Sequence, residues 1–415
     1  MRIAIIGSGV SGLTAAYLLH EDHDIVVYEK NDYAGGHANT IDAKIGRRSY
    51  PVDTGFIVFN RKTYPNFITL LERLGVPWKD SNMSFSVNCE RSGLQYSPSS
   101  LGSLFAQRRN LLRPQFYRML WDVFRFRRNY EPLLNEPADR TLAQVLESRG
   151  YSRYFREYFI IPMGAAIWSA DPEQFGRIPA RFFVRFFQNH GFLNVRNQPQ
   201  WLTIEEGSRR YVEALTAGFS SRIRLCNPVT GIRRFDDRVT IETAEGDQQS
   251  YDHVVIAAHS DQALGMLADP SGAERAILGA IPYKPNTAVL HTDVALLPRI
   301  RKTWASWNYR IPHDRLAGVI LTYNMNILQS IKAPAVFCVT LNCEQEIEAG
   351  KRLYKTQYAH PVFTSESVEA QGRHGEISGV NRTHYCGAYW GNGFHEDGVN
   401  SALAVCRYFG KELPS

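Results

Sequence analysis

Cysteine is scarce and without pattern. The six cysteines of the 415-residue chain, Cys89, Cys226, Cys338, Cys343, Cys386 and Cys406, form no CxxC pair, which argues against a zinc site and against a disulfide framework. We therefore expect no metal and reduced thiols. Long apolar runs are also missing: no stretch approaches the roughly 20 residues needed to cross a bilayer, so any membrane contact would be peripheral. The opening MRIAIIGSG puts strand residues where a signal peptide would carry its charged and apolar regions. We expect a cytoplasmic protein, with the inner face of the membrane as its place of peripheral contact. HExxH, GxSxG and paired carboxylates at catalytic spacing do not stand out either. Charge is moderate, with 47 Lys and Arg against 41 Asp and Glu for a net +6. No recognition motif accompanies the basic residues, so nucleic acid is not an expected partner.

What is present begins at the first residues. The length exceeds the about 250–300 residues at which one core usually stops growing, so two domains are expected. The 44% hydrophobic and 21% charged residues are ordinary for a globular protein. RIAII reads as a buried parallel strand and 11–20 as a helix, with GSGVSG between them. In that turn Gly7 permits the bend, Gly9 lets the backbone approach a pyrophosphate, and Gly12 allows the helix to pack closely on the strand. Val10 and Ser11 open the helix, whose free N–H groups suit phosphate. A second strand, 25–28, ends in Glu29, with Lys30 beside it. Glu29 is placed to accept from adenosine ribose hydroxyls and would repel a 2′-phosphate, which disfavours NADP.

The next segment, NDYAGGHANT, carries Gly35, Gly36 and His37 and resembles the glycine-pair motif of the flavin-containing amine oxidase and phytoene desaturase superfamily. The resemblance implies FAD, with the second glycine turn against its pyrophosphate; His37 stands where those enzymes usually carry arginine. HYCGAYWGNGFHEDGVNSALAVCRYF is similar to the superfamily's closing motif, which implies that Gly387, Gly398 and Val399 approach the flavin ring and ribityl chain. The 223–258 stretch, ending in DHVVIAA, resembles the return into the FAD domain, implying Val229 near the adenine and Ala257 on the adjoining strand. GSRRYVEAL at Gly207 reads as a helix start capped by Ser208. VDTGFIVFN, NHGFL, SWNY and HPVF resemble the bacterial flavoproteins associated with cyclopropane or otherwise modified fatty-acyl chains. That implies an apolar acyl or isoprenoid substrate, dehydrogenated, saturated or isomerised at the flavin. An amine oxidase releasing hydrogen peroxide would share the fold, and a non-catalytic lipid-binding flavoprotein would keep the nucleotide motifs without the reaction.

The expected fold is α/β: a discontinuous Rossmann-type FAD-binding domain from residues 1–78, 203–262 and 376–415, and an interleaved α+β substrate domain. The latter combines a helical insertion, 79–202, with a β-rich segment, 263–375. Flavin hydride transfer leaves no fixed catalytic signature. Trp168, His190, Trp307, Tyr309 and His395 are candidates for the cavity wall before the ring, with His259, His291 and His360 as further candidate bases. Within the insertion, 105–130 reads as a helix bearing seven arginines against the single acid Asp122, interleaved with Phe116, Trp121, Phe124 and Phe126. Such a helix suits an anionic membrane surface.

Overall fold

A computed structural model describes residues 1–193, 199–313 and 319–413. Its organising element is a five-stranded parallel sheet ordered Ile223–Arg224, Asp24–Tyr28, Arg2–Ile6, His253–Ile256, Thr383–Tyr385. We call Arg2–Ile6 β1, the helix Val10–Leu19 α1, and Asp24–Tyr28 β2. In β1 and β2 every residue after the first is buried, as expected of parallel strands covered on both faces. One face packs on α1 and the C-terminal helix His395–Tyr408 through Leu13, Ala16, Val399 and Ala402. The other packs through Tyr28, Val254 and Tyr385 on the antiparallel strands Val229–Arg234, Val239–Thr243 and Gln248–Tyr251. The sheet thus draws its strands from residues 2–28, 223–256 and 383–385.

The second body is built on a seven-stranded sheet ordered Arg352–Pro361, Tyr283–His291, Cys338–Leu341, Ile320–Asn324, Trp307–Ile311, Phe85–Cys89, Leu94–Tyr96. Its neighbours are antiparallel except Trp307–Ile311 and Phe85–Cys89. Two of these strands therefore come from the stretch expected to be helical. Val87, Cys89, Leu94 and Tyr96 are fully buried in the sheet, and their short alternation is masked in the sequence by the aromatic helices that follow. Those helices, including Pro114–Arg128, Leu142–Ser148, Ile161–Trp168 and Ala180–Asn189, close the same core.

Two local expectations are corrected. The 105–130 stretch is not one helix: a 3-10 turn, Arg108–Leu112, ends at Arg113, whose extended backbone (φ −103°, ψ 102°) leads into the helix at Pro114. Proline lacks an N–H and disfavours helical geometry in the residue before it, so it starts this helix and interrupts the one expected. Ser208 heads the helix Arg209–Thr216 but does not cap it. Its hydroxyl donates to Asp53 Oδ1 at 2.7 Å, which also accepts from the Ser208 N–H (2.9 Å) and the Thr40 hydroxyl (2.6 Å). Gln329 Nε2 donates to Asp53 Oδ2 at 2.8 Å while its Oε1 accepts from the Asp53 N–H at 2.9 Å. Asp53, the acid of VDTG, thereby ties the Arg48–Asp53 strand to Arg209–Thr216 and to the residue after the Met325–Leu328 turn.

Burial pushes Asp53 up to about 6 although these donors favour its charged form. An amide at this position would turn an NH2 group toward hydrogen-bond donors. Asp53→Asn is therefore expected to lower stability by about 2–4 kcal/mol in urea unfolding; an unchanged midpoint would remove the anchoring role. Burial also holds His291 down at about 4 and His384 at about 3. Both stay neutral in the fold but protonate in the unfolded chain near the ordinary 6.5. Their contribution is complete above that value and is lost as pH falls, by about 1.4 kcal/mol per pH unit for each. Asp53 and Asp397, both raised to about 6, act in the opposite sense, protonating in the fold first. Because neutral buried histidines outnumber them, the urea midpoint should fall from about pH 7.5 to about pH 5.5. A rising midpoint would show the histidines ionised within the fold.

Candidate active site

The β1–α1 turn is shaped by contacts that exclude side chains. Gly7 has φ +101°, and a Cβ on it would stand 2.8 Å from the Ala257 carbonyl oxygen. A Cβ on Gly12 would stand 2.0 Å from the Gly7 carbonyl oxygen, so α1 can lie this close to the turn only with glycine there. A Cβ on Gly9 would meet nothing within 4 Å: that face is open. Gly9 precedes α1 without a side-chain cap, which leaves the first-turn N–H groups of Val10 and Ser11 without helical acceptors. Against this turn lies the second glycine pair. Gly35 donates its N–H to the Ser8 carbonyl at 2.9 Å, and a Cβ on Gly36 would be 3.1 Å from Gly9 Cα.

Glu29 closes β2, and its carboxylate braces the turn. Oε2 accepts from the Ser8 N–H (2.9 Å) and hydroxyl (2.6 Å), while Oε1 accepts from the Asn31 N–H (2.9 Å) and side-chain amide (2.8 Å). This bracing of the glycine turn is a role the sequence pattern did not reveal.

Beside these residues runs a cavity of about 1020 Å³, large for a small-molecule site by the usual range of about 300–1,000 Å³. Glu29, Lys30, Asn227 and Val229 line one end; Gly9, Val10, Ser11, Gly36, His37 and Ala257 line the middle. At the other end stand Trp168, His190, Trp307, Tyr323, Phe394 and His395, with Gly387 also on the wall. The Trp168 indole N–H donates to the Asn392 carbonyl at 2.9 Å, and its ring packs on Phe186 at 4.5 Å between centroids. His190 stacks on the same phenylalanine, 3.9 Å between centroids. Its Nδ1 donates to the Phe186 carbonyl at 3.0 Å, and burial pushes it down to about 4. His395 stacks on Phe56 at 3.5 Å, meets the Tyr211 hydroxyl through Nε2 at 3.1 Å, and is held far below the usual histidine range by burial.

Four residues expected at the flavin or its cavity lie off the wall. Trp307 reaches it, but Tyr309 shares that strand face about 7 Å further along and sits in the core at 2% exposure. Gly398 lies where the C-terminal helix meets α1: a Cβ there would be 2.6 Å from Val10 Cγ1 and 3.0 Å from Ser11 Oγ. Val399 is fully buried in the same seam. The part of that helix that faces the cavity is its beginning, His395, together with the preceding Gly393 and Phe394. Gly12 likewise packs behind the wall. Of the other histidines, His259 and His360 line the cavity and His291 does not.

Three other wall residues, Tyr354, Thr356 and Tyr358, carried no motif, and they lie on one strand with His360 of HPVF. Tyr354, Thr356, Tyr358 and His360 occupy alternate positions of Arg352–Pro361 and line the cavity, as do Gln357, Ala359 and Pro361 between and beyond them; the period-two placement of the larger rings was the signal that could have found them. Tyr358 stacks on His37 at 4.7 Å, and its hydroxyl lies 2.8 Å from Thr54 Oγ1 and accepts from Asn39 Nδ2 at 3.2 Å. His37 also meets His360 edge-on at 5.3 Å; its buried Nε2 has no partner among the described residues, and burial pushes it down to about 4.

These features fit FAD: an uncapped helix start, a glycine face left open, an unpartnered polar atom in the middle, and an aromatic chamber beyond. The sequence profile of flavin containing amine oxidoreductases matches residues 10–293, more than half of the chain. No curated protein matches the sequence. Among solved structures, a CLA-producing fatty acid isomerase from P. acnes has a TM-score of 0.69 at 17% identity over 98% of each chain. Cyclohexylamine oxidase from Brevibacterium oxydans IH-35A gives 0.68 at 14% over 99% of each, and putrescine oxidase bound to putrescine gives 0.70 at 12% over 99% of each. At such identities the likeness is one of fold. Fold, glycine turns and family profile agree: the chain belongs to the flavin-containing amine oxidoreductase family and is an FAD-dependent oxidoreductase.

Proposed function

We propose that the enzyme acts on an apolar chain, fatty-acyl or isoprenoid, by dehydrogenation, saturation or isomerisation. The observation that carries this reading is the distribution of charge on the cavity wall. Its only Asp, Glu, Lys or Arg residues among those described are Glu29, Lys30 and Asp32, all at the end reached by β2. The far chamber is formed by Trp168, Phe186, Trp307, Tyr323 and Phe394 with neutral His190. An ammonium substrate would find no carboxylate there, and burying an unpaired charge is costly. An apolar chain would instead gain about 25 cal/mol for each Å² removed from water. The fold itself does not choose, since it is shared by a fatty acid isomerase and by amine oxidases.

In the same reading, the Val10 and Ser11 N–H groups would receive the pyrophosphate over the open face of Gly9, Glu29 and Val229 would border the adenosine, and Trp168, Trp307 and His395 would wall the chamber before the ring. Bound there, FAD supplies reversible hydride acceptance. The chain's own part is orientation and exclusion of water: Trp168 is fixed by its hydrogen bond to the Asn392 carbonyl, and His190 by its bond to Phe186. The start of the C-terminal helix turns its positive end toward the chamber, where it would favour negative charge on a bound flavin.

Gly9→Val should fill the open face and weaken FAD retention at least tenfold, about 1.4 kcal/mol, with the secondary structure intact by circular dichroism. Full retention would place the pyrophosphate elsewhere. Glu29→Ala should cost about 1–3 kcal/mol in FAD affinity by titration; unchanged affinity would mean that the ribose is held by other groups. For the substrate, the FAD-loaded enzyme is mixed without oxygen with unsaturated fatty acids, isoprenoids and primary amines. Their products are analysed, and peroxide is followed in air. Flavin bleaching or double-bond change with the apolar chains and none with the amines is expected. Bleaching by amines alone, with peroxide, would overturn the apolar reading.

A further inference from the structure

Large apolar side chains exposed to solvent are concentrated in one short stretch. Of the thirteen among the described residues, Leu101, Leu111, Leu112, Tyr117, Trp121 and Phe124 lie within 24 residues of one another, at 45% to 85% exposure. They are ordered by structure and do not belong to a disordered loop. Leu111 and Leu112 end the 3-10 turn that Pro114 separates from the helix Pro114–Arg128. On that helix Tyr117, Trp121, Phe124 and Arg128 follow at spacings of 4, 3 and 4 and form a single outward stripe. The inward face is occupied by Phe116, Met119 and Phe126, which are buried. Of the four aromatics singled out in the sequence, only Trp121 and Phe124 are therefore available to anything outside.

The charges divide in the same way. Asp122, the sole acid in residues 101–130, is buried and paired with Arg118 at 3.5 Å and Arg125 at 3.3 Å. Arg109 and Arg113 donate to the carbonyls of Gly93 and Ser92, and Arg125 lies over the Tyr151 ring at 4.0 Å. Arg108 and Arg128 are exposed and, among the described residues, have no carboxylate within ion-pair distance. The surface thus shows exposed aromatics and leucines between cations, with its one carboxylate withdrawn into the protein.

We propose that this surface, the Arg108–Leu112 turn with the Tyr117–Trp121–Phe124–Arg128 stripe, docks the enzyme on an anionic lipid bilayer. Leucine and aromatic side chains enter the interface while the arginines stay at the headgroups. Charge selects this occupant over a second copy of the chain. A twofold contact would set the same patch against itself, cation to cation, with no carboxylate between. An anionic bilayer complements it. The proposal does not depend on which substrate the chamber takes.

The test uses the full FAD-loaded chain and sedimentation with vesicles of phosphatidylcholine alone or with about 30% phosphatidylserine, at about 0.05 M and about 0.5 M salt, across which screening strengthens several-fold. The wild type should pellet with the anionic vesicles and less at high salt. Arg108→Glu with Arg128→Glu should lower binding about tenfold or more at low salt and little at high salt. Trp121→Ser with Phe124→Ser should lower it about tenfold or more at both. An unchanged flavin spectrum and melting temperature would show both variants folded, and the wild type's own salt dependence requires no variant. No pelleting of the wild type with anionic vesicles would overturn the proposal, as would variants that bind like the wild type. So would a wild-type dimer in sedimentation velocity that the Trp121→Ser, Phe124→Ser variant converts to monomer without any vesicle binding.

Discussion

Three pieces of backbone meet around the β1–α1 turn at distances that leave little or no room for a side chain. Gly12 lies against the Gly7 carbonyl, Gly36 against Gly9, and Gly398 against Val10 and Ser11. Each contact joins a different part of the chain: the first strand and helix, the second glycine turn, and the C-terminal helix nearly 400 residues later. Because they converge, α1 presents its N-terminus to the cavity while its sides are clamped. Glu29 adds the fourth contact by accepting from both the N–H and hydroxyl of Ser8. A charge-assisted bond to the turn itself holds those N–H groups in place before any cofactor arrives. Preorganisation of this kind reduces the ordering cost of binding.

The cavity also needs its second body held in register, and Asp53 shows how that is done. One carboxylate receives donors from Thr40, Ser208 and Gln329, and these belong to segments far apart in the chain. A buried carboxylate is expensive to desolvate, but with four donors on its two oxygens its loss leaves several unmatched donors. Tyr358 makes a neighbouring connection, joining Thr54 and Asn39 to the edge strand of the large sheet and stacking on His37. The glycine turn and the aromatic wall are therefore positioned by the same few polar contacts.

The glycine turn was legible in the sequence because it depends on local geometry. Gly7 and Gly12 occupy places where the backbone admits only glycine, so a short spacing carries the information. Gly398 was readable as a functional glycine, but its task is the helix crossing, which depends on a partner residue almost 400 positions away. The chamber was half legible. Trp168, His190, Trp307 and His395 reach it, while Tyr309 continues along the same strand into the core. Nothing in a single strand's sequence says where along its length a cavity begins. The strands Phe85–Cys89 and Leu94–Tyr96 were hidden for a similar reason: the hairpin they form joins the sheet only through Trp307–Ile311, over 200 residues away, and five residues of alternation are a weak signal beside long aromatic helices.

Burial explains why the interior and exterior of this protein treat its cationic side chains so differently. The cavity is lined by histidines rather than arginines, and His37, His190, His259 and His360 are all pushed to about 4 or below. They leave the chamber uncharged at neutral pH while still offering ring nitrogens and flat faces to neighbours. Arginine cannot be neutralised in this way, so in the interior it would demand a carboxylate. Arg234 meets that demand with buried Glu274, itself also bonded by Tyr385. On the Pro114–Arg128 helix, exposed Arg128 has no such partner among the described residues and stands beside aromatics that the core does not cover. The same desolvation cost that keeps charge out of the aromatic chamber thus leaves a cationic, partly apolar surface on the outside of the helical layer.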